Sequence, residues 1–185
     1  MANPLAKLLL SLIACAAVSV AQASEPPHVD DPGRIASADR GWAEGIEHRL
    51  GAIEATSGIR IALQFHAKSP TAEEDKVAGA YMKGIATSLG IAQKGVLMVY
   101  FADDPDWRIW VGDDLTSRFA GKPGSAAELT ASGAMHEAKE AYLTGSVSAA
   151  DARFKAEPGE KSASRRIAIE ADTLLDNLCL KLGLK

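Results

Sequence analysis

Cysteine is scarce in this chain. Cys15 and Cys179 are the two in 185 residues, and with Cys15 inside an apolar leader the remaining chain has no internal disulfide to make. The bland reading of Cys179 is a small apolar side chain in a helix interface. Aromatic residues amount to 5%, and Trp42, Trp107 and Trp110 read as packing groups rather than as a stacking platform. Basic charge is not in excess: 20 Lys and Arg face 24 Asp and Glu, a formal net charge of −4. That balance removes the electrostatic basis for binding nucleic acid or an anionic membrane surface. Histidine is rare too, and His28 and His48 have no partners at metal-ligand spacing. The run His136-Glu137-Ala138-Lys139-Glu140 lacks the second histidine of a zinc helix and reads as a solvated helix face. A Gly-x-Ser-x-Gly elbow and a phosphate-binding glycine loop are both missing. No residue declares itself a nucleophile.

What is present begins with an export signal. Met1 to Lys7 carries one positive side chain, Leu8 to Val20 is an almost unbroken apolar run, and Ala21-Gln22-Ala23 has the small-x-small pattern that signal peptidase reads. The run is too short to remain as a comfortable bilayer span. Residues 1–23 are therefore expected to be a signal peptide, cleaved before Ser24, which directs the protein to the periplasm or outside the cell. Loss of Lys7 leaves 19 basic against 24 acidic residues. Leu12-Ile13-Ala14-Cys15 also fits a lipobox, so a lipid anchor at Cys15 is the alternative. Over the full chain hydrophobic residues make up 47% and charged residues 24%, an ordinary globular composition, and the part after the leader is read as globular. It divides into an α/β domain over 24–157 and a C-terminal amphipathic helix over 158–185 that packs on it, with no further transmembrane span.

Glu25 to Gly33 is rich in Pro and Asp and reads as an arm. Trp42, Ile46, Leu50 and Ile53 place one apolar stripe on a helix over 37–57, and Gly58 suits its left-handed end. Ile59 to His66 alternates like a half-covered strand. Thr71-Ala72-Glu73-Glu74 is a capping box, which predicts a helix from there with Val77, Tyr81, Ile85 and Leu89 on one face and Gly90 at its end. Val96 to Phe101 is apolar throughout, as in a central strand buried on both sides. The turn Asp103-Asp104-Pro105-Asp106 joins it to an antiparallel partner, Trp107 to Val111. A helix from Ser125 to about Leu143, a short one over 146–155 and a long one over 164–182 follow. The seam of the last is Ile167, Ala171, Leu174, Leu178 and Leu182. The order predicts an α/β three-layer sandwich: a small mixed sheet, made of a parallel strand–helix–strand unit plus a hairpin, between helices.

Three stretches resemble the TPM-domain family. Val29-Asp30-Asp31-Pro32-Gly33 is similar to the family's opening Val-x-Asp and Gly. Leu50 to Gln64 is similar to its helix, Thr-x-Gly break and first strand. Gly95-Val96-Leu97-Met98-Val99-Tyr100 with Arg108-Ile109-Trp110-Val111-Gly112 is similar to its Gly-Val-Leu strand and Arg-Ile-x-x-Gly hairpin. The resemblance covers about Val29 to Phe119. It implies a three-layer fold, a place in the periplasm, on a cell surface or in a thylakoid lumen, and work with membrane protein complexes. In some members it implies a divalent cation held by acidic loops and an acid phosphatase activity. Two departures stand out: Gln93-Lys94 replaces the family's Asp-Asn before the second strand, and Gly112-Asp113-Asp114-Leu115 replaces its Gly-x-Gly-Leu.

Ligands of open sheets bind beyond the carboxyl ends of parallel strands. That rim should gather His66, Lys68, Ser69 and Thr71 after one strand and Asp103, Asp104 and Asp106 after the next. Lys68, Ser69 and Thr71, with helix amides beside them, would suit an anion. Asp31, Asp103, Asp104, Asp106, Asp113 and Asp114 are the candidate oxygen ligands for Ca²⁺ or Mg²⁺. The plain alternatives are turn formation for Asp103, Asp104 and Asp106 and helix capping for Asp113 and Asp114. No catalytic residue is assigned. Two functions remain open: an accessory or binding protein of the cell envelope whose partners are envelope proteins, or a weak metal-assisted phosphomonoesterase.

Overall fold

The computed structural model describes residues 25–37, 40–159 and 161–184, with Arg40 described by its backbone alone. The expected signal peptide and the lipidation alternative at Cys15 lie outside the described residues. The elements run β1 (Val29–Asp30), α1 (Arg40–Ser57), β2 (Ile61–His66), α2 (Ala80–Ser88), β3 (Val96–Phe101), β4 (Asp106–Val111), α3 (Thr116–Ala120), α4 (Ala126–Ala131), α5 (Ala134–Ala156) and α6 (Ala163–Leu182). A 3-10 turn over Asp113–Leu115 leads into α3.

The strands form one sheet in the order β1-β2-β3-β4. β1 and β3 both pair parallel with β2, while β4 pairs antiparallel with β3. The fold is thus mixed α/β with helices on both faces of the sheet, as the element order implied. In register, Ile61 lies opposite Val96 and Leu63 opposite Met98. The six residues of β3 are all buried, because alternate side chains enter different cores. Val96, Met98 and Tyr100 join the larger cluster with Leu50, Ile53, Leu174 and Leu178. Leu97, Val99 and Phe101 join the smaller one with Met82 and Ala86 of α2. Each fully buried Leu, Ile or Phe contributes about 1.5–3 kcal/mol relative to an exposed one, so the α1, α5 and α6 face carries most of the stability.

Two glycines are required by close approach. A Cβ on Gly112 would sit 2.4 Å from the Gln93 carbonyl oxygen, and one on Gly95 would sit 2.5 Å from the Ile91 Cβ. Both mark the place where the chain enters β3 and leaves β4.

Several local expectations are corrected. The Thr71–Glu74 box forms, with the Thr71 amide 2.8 Å from the Glu74 carboxylate, but it closes only a turn. Gly79 takes the left-handed conformation (φ 76°) and α2 starts after it, at Ala80. Val77 is left 67% exposed. Gly133 (φ 79°) likewise separates α4 from α5, and α5 then runs unbroken through Gly145 to Ala156. The arm before α1 supplies β1, too short to show a period. His28 anchors it, with Nδ1 2.8 Å from Glu47 and Nε2 2.7 Å from Glu54 on α1.

Candidate functional site: a satisfied rim and an open strand edge

The ends of β2 and β3 do meet at one rim. The Ser69 amide and hydroxyl donate to Asp103 Oδ1 at 2.7 and 2.9 Å. The Ser69 hydroxyl is the main reason the Asp103 carboxyl lies below the usual carboxylate range, with its amide adding to the effect. Thr71 donates its amide and hydroxyl to Glu74 at 2.8 and 2.9 Å. Two of the three expected anion-binding residues therefore already hold carboxylates of the chain itself. Lys68 is exposed beside them. The helix amides expected there belong to α2, which begins only at Ala80.

The six candidate metal ligands do not converge. Asp31 follows β1, two strands across from β3, about 10 Å by strand spacing. Its carboxylate accepts from the amides of Ile35, Ala36 and Ser37 and from the Ser37 hydroxyl, at 2.7–2.9 Å. Asp106 is 3.6 Å from Arg108 Nε, and Asp104 is exposed on the turn. Asp113 and Asp114 sit at the opposite end of β3: their amides bond the carbonyls of Ala92 and Gln93, and Asp113 accepts from the Gln93 amide group at 3.1 Å. Among the described residues no three His, Cys, Asp or Glu side chains are arranged to hold a metal ion. The donor set does not fit a Ca²⁺ or Mg²⁺ site, whose six or more oxygens must surround one point.

A concavity lies elsewhere, along the outer side of β4. A groove of about 1040 Å³ runs between that strand, the segment ending in α2, helix α5 and the start of α6. Helix α5 contributes one continuous stripe: His136, Lys139, Leu143, Thr144, Val147 and Asp151, the spacing of a single helical face. The stripe passes from Trp110 at one end of β4, over whose ring the Lys139 ammonium sits at 5.5 Å, to Asp151 near the other.

At that other end the polar groups are bound to each other. The Trp107 indole donates to Glu170 at 2.9 Å, and Arg166 bridges Glu170 and Asp151 at 3.1 and 2.8 Å. On the α2 side Arg108 reaches Asp75 at 2.8 Å and lies over the Phe101 ring. Lys139 differs. It is half-buried, and among the described residues no carboxylate stands within ion-pair distance of it. Burial pushes its ammonium pKa down from the usual lysine range. The solvated face expected over His136 to Glu140 is thus corrected at Lys139, which turns toward Trp110 and the groove.

Backbone geometry adds a second unmet set. The Gly112 amide donates to the Gly95 carbonyl, and the Val96 and Ala102 amides donate to Arg60 and His66 on the β2 side. In an antiparallel pair bonded and non-bonded positions alternate. Asp106, Arg108 and Trp110 therefore face β3, while the amides and carbonyls of Trp107, Ile109 and Val111 face outward. Trp107 and Ile109 border the groove. Their side chains are in the core and the residues as a whole are only 4% and 5% exposed, so the narrow strip they offer the groove is main chain. Sequence reasoning missed this site because edge position follows from strand order. A usable signal was the mixed stripe on α5, which passes from His136 and Lys139 through Leu143 and Val147 to Asp151 along one face.

No family model, curated protein or solved structure matches the chain.

Proposed function

We propose that this chain is an exported accessory protein of the cell envelope, of TPM-domain kind, that works by holding an envelope partner in the β4–α5 groove and not by turning over a substrate. The observation that carries the reading is that groove, bounded by apolar side chains and, among the described residues, by strand-edge main chain without a strand partner and a lysine without a carboxylate. Such a mixture fits recognition: apolar wall for affinity, a few polar groups for orientation. The phosphomonoesterase alternative calls for free carboxylates and free anion donors at one rim, and there Ser69 and Thr71 are engaged by Asp103 and Glu74.

The test is a photo-crosslinking amino acid placed at Thr144, exposed in the groove, or at Glu44, exposed on α1, in the protein expressed in its own cells. Adducts from position 144 and none from position 44 are expected, in the envelope fraction. No adduct at 144, or equal labelling at both, would contradict the reading.

A further inference from the structure

We propose that the groove takes an extended peptide segment of about six residues, which adds as a fifth strand to the free edge of β4 and sets a carboxylate against Lys139. This rests on the reading of the chain as a binding protein and names its partner class.

Three observations converge. The first is the outer amides and carbonyls of Trp107 and Ile109, which among the described residues have no strand partner, a template that an added strand satisfies. A compact ligand would meet one or two of those groups. The second is length. From first to last residue β4 spans about 17 Å at the strand rise, and the α5 stripe from His136 to Asp151 spans about 22 Å at the helical rise. The wall thus runs the full length of the floor, which leaves room for an extended segment between an edge strand and a helix. The third is charge. The arginines at the groove, Arg108 and Arg166, already have carboxylate partners, whereas among the described residues Lys139 has the Trp110 ring and no carboxylate. An ammonium half-withdrawn from water gains most from a carboxylate brought into the same groove.

Main-chain pairing supplies affinity in this mode, and the side chains of alternate peptide residues, turned toward Leu143 and Val147, supply selectivity. A second copy of the chain is the less suited occupant. Its own β4 has an α5 beside it, which blocks the approach of edge to edge.

The test uses the whole exported protein and a capped peptide of about eight residues, alternating threonine and valine with one central glutamate. Two companions carry glutamine for glutamate, or methyl groups on alternate amide nitrogens. Amide exchange and titration are followed by NMR. At about 2 mM peptide, a concentration suited to weak strand addition, the Trp107 and Ile109 amides are expected to exchange at least about tenfold more slowly. The glutamine peptide should bind about fivefold more weakly, and Lys139→Gln should bring the glutamate peptide down to the same level. The methylated peptide should not bind.

No protection at Trp107 and Ile109, or equal binding of the methylated peptide, overturns strand addition. Equal binding of the glutamate and glutamine peptides overturns the carboxylate. Dimerisation seen by light scattering, with protection of the same amides in the absence of peptide, would give the edge to a second copy and overturn the proposal. Crosslinks from position 144 without peptide protection would leave the binding protein standing and remove the strand.

Discussion

The rim beyond β2 and β3 and the outer edge of β4 hold similar kinds of groups in opposite conditions. At the rim, each donor of Ser69 and Thr71 has a carboxylate 2.7–2.9 Å away. At the edge, the main chain of Trp107 and Ile109 has no strand beside it, and Lys139 has no counter-charge among the described residues. A polar group satisfied within the chain has little left to give a ligand, because a new partner must first displace the old one. Residue type alone favours the rim, with its acids, serine and threonine. Unmet bonding capacity favours the edge.

The largest expected effect removes the edge itself. Gly112→Ala places a Cβ against the Gln93 carbonyl, where neither piece of backbone can yield. It should cost about 3 kcal/mol in urea unfolding and abolish binding of the glutamate peptide. Gly45→Ala in α1, with open space around it, should instead gain about 0.5–1 kcal/mol. Next comes Glu170→Ala, which leaves the buried Trp107 indole without its acceptor. A loss of about 2 kcal/mol is expected, and Glu170→Gln should recover most of it because the amide oxygen still accepts.

Breaking the rim should do less. Asp103→Ala with Asp104→Ala is expected to lower Tm by about 1–3 °C and to leave peptide binding unchanged. A parallel loss of binding would erase the distinction between the two regions. The pH dependence carries the same contrast. The Asp103 carboxyl is held below its ordinary value, so its contribution is present above that value and lost as pH falls through the lower one. The double variant should therefore have a shallower acid limb.

The smallest effect is at Asp172 in α6, whose carboxyl burial pushes upward. The Trp42 N–H faces it and partly opposes the shift, without reaching hydrogen-bond geometry. A carboxyl with a raised folded-state pKa costs stability as pH rises from the unfolded value through the folded one. Asp172→Asn removes that cost, and Tm above about pH 6 should rise by about 1 °C.

Much of the fold was legible because its signals are local. The apolar run of β3, the alternation of β2 and the seam of α6 each state a burial pattern, and the parallel pairing of β2 with β3 follows from the strand–helix–strand order, while the register of Leu63 beside Met98 came only with the structure. The acidic hairpin and the meeting of Ser69 with Asp103 were legible from the same topology. Gly79 and Gly133 were not, because a glycine within a helical pattern reads equally as tolerated or as a break until its φ is known. The separation of Asp113 from Asp103 was implied by the antiparallel hairpin itself, because β4 carries the chain back along β3, and grouping the two as ligands of one ion overlooked it. Lys139 was hidden: its neighbours on α5 are solvated, and only the course of α5 past Trp110 withdraws it from water. The site thus resides in the relation between one helix and one edge.

Amide exchange in the free protein tests that relation most directly. Arg108 and Trp110 donate to β3, whereas Trp107 and Ile109 face the groove, so the latter pair should exchange at least about 100-fold faster. Equal, strong protection of all four amides would mean that the β4 edge is already closed, and the binding groove would have to be abandoned.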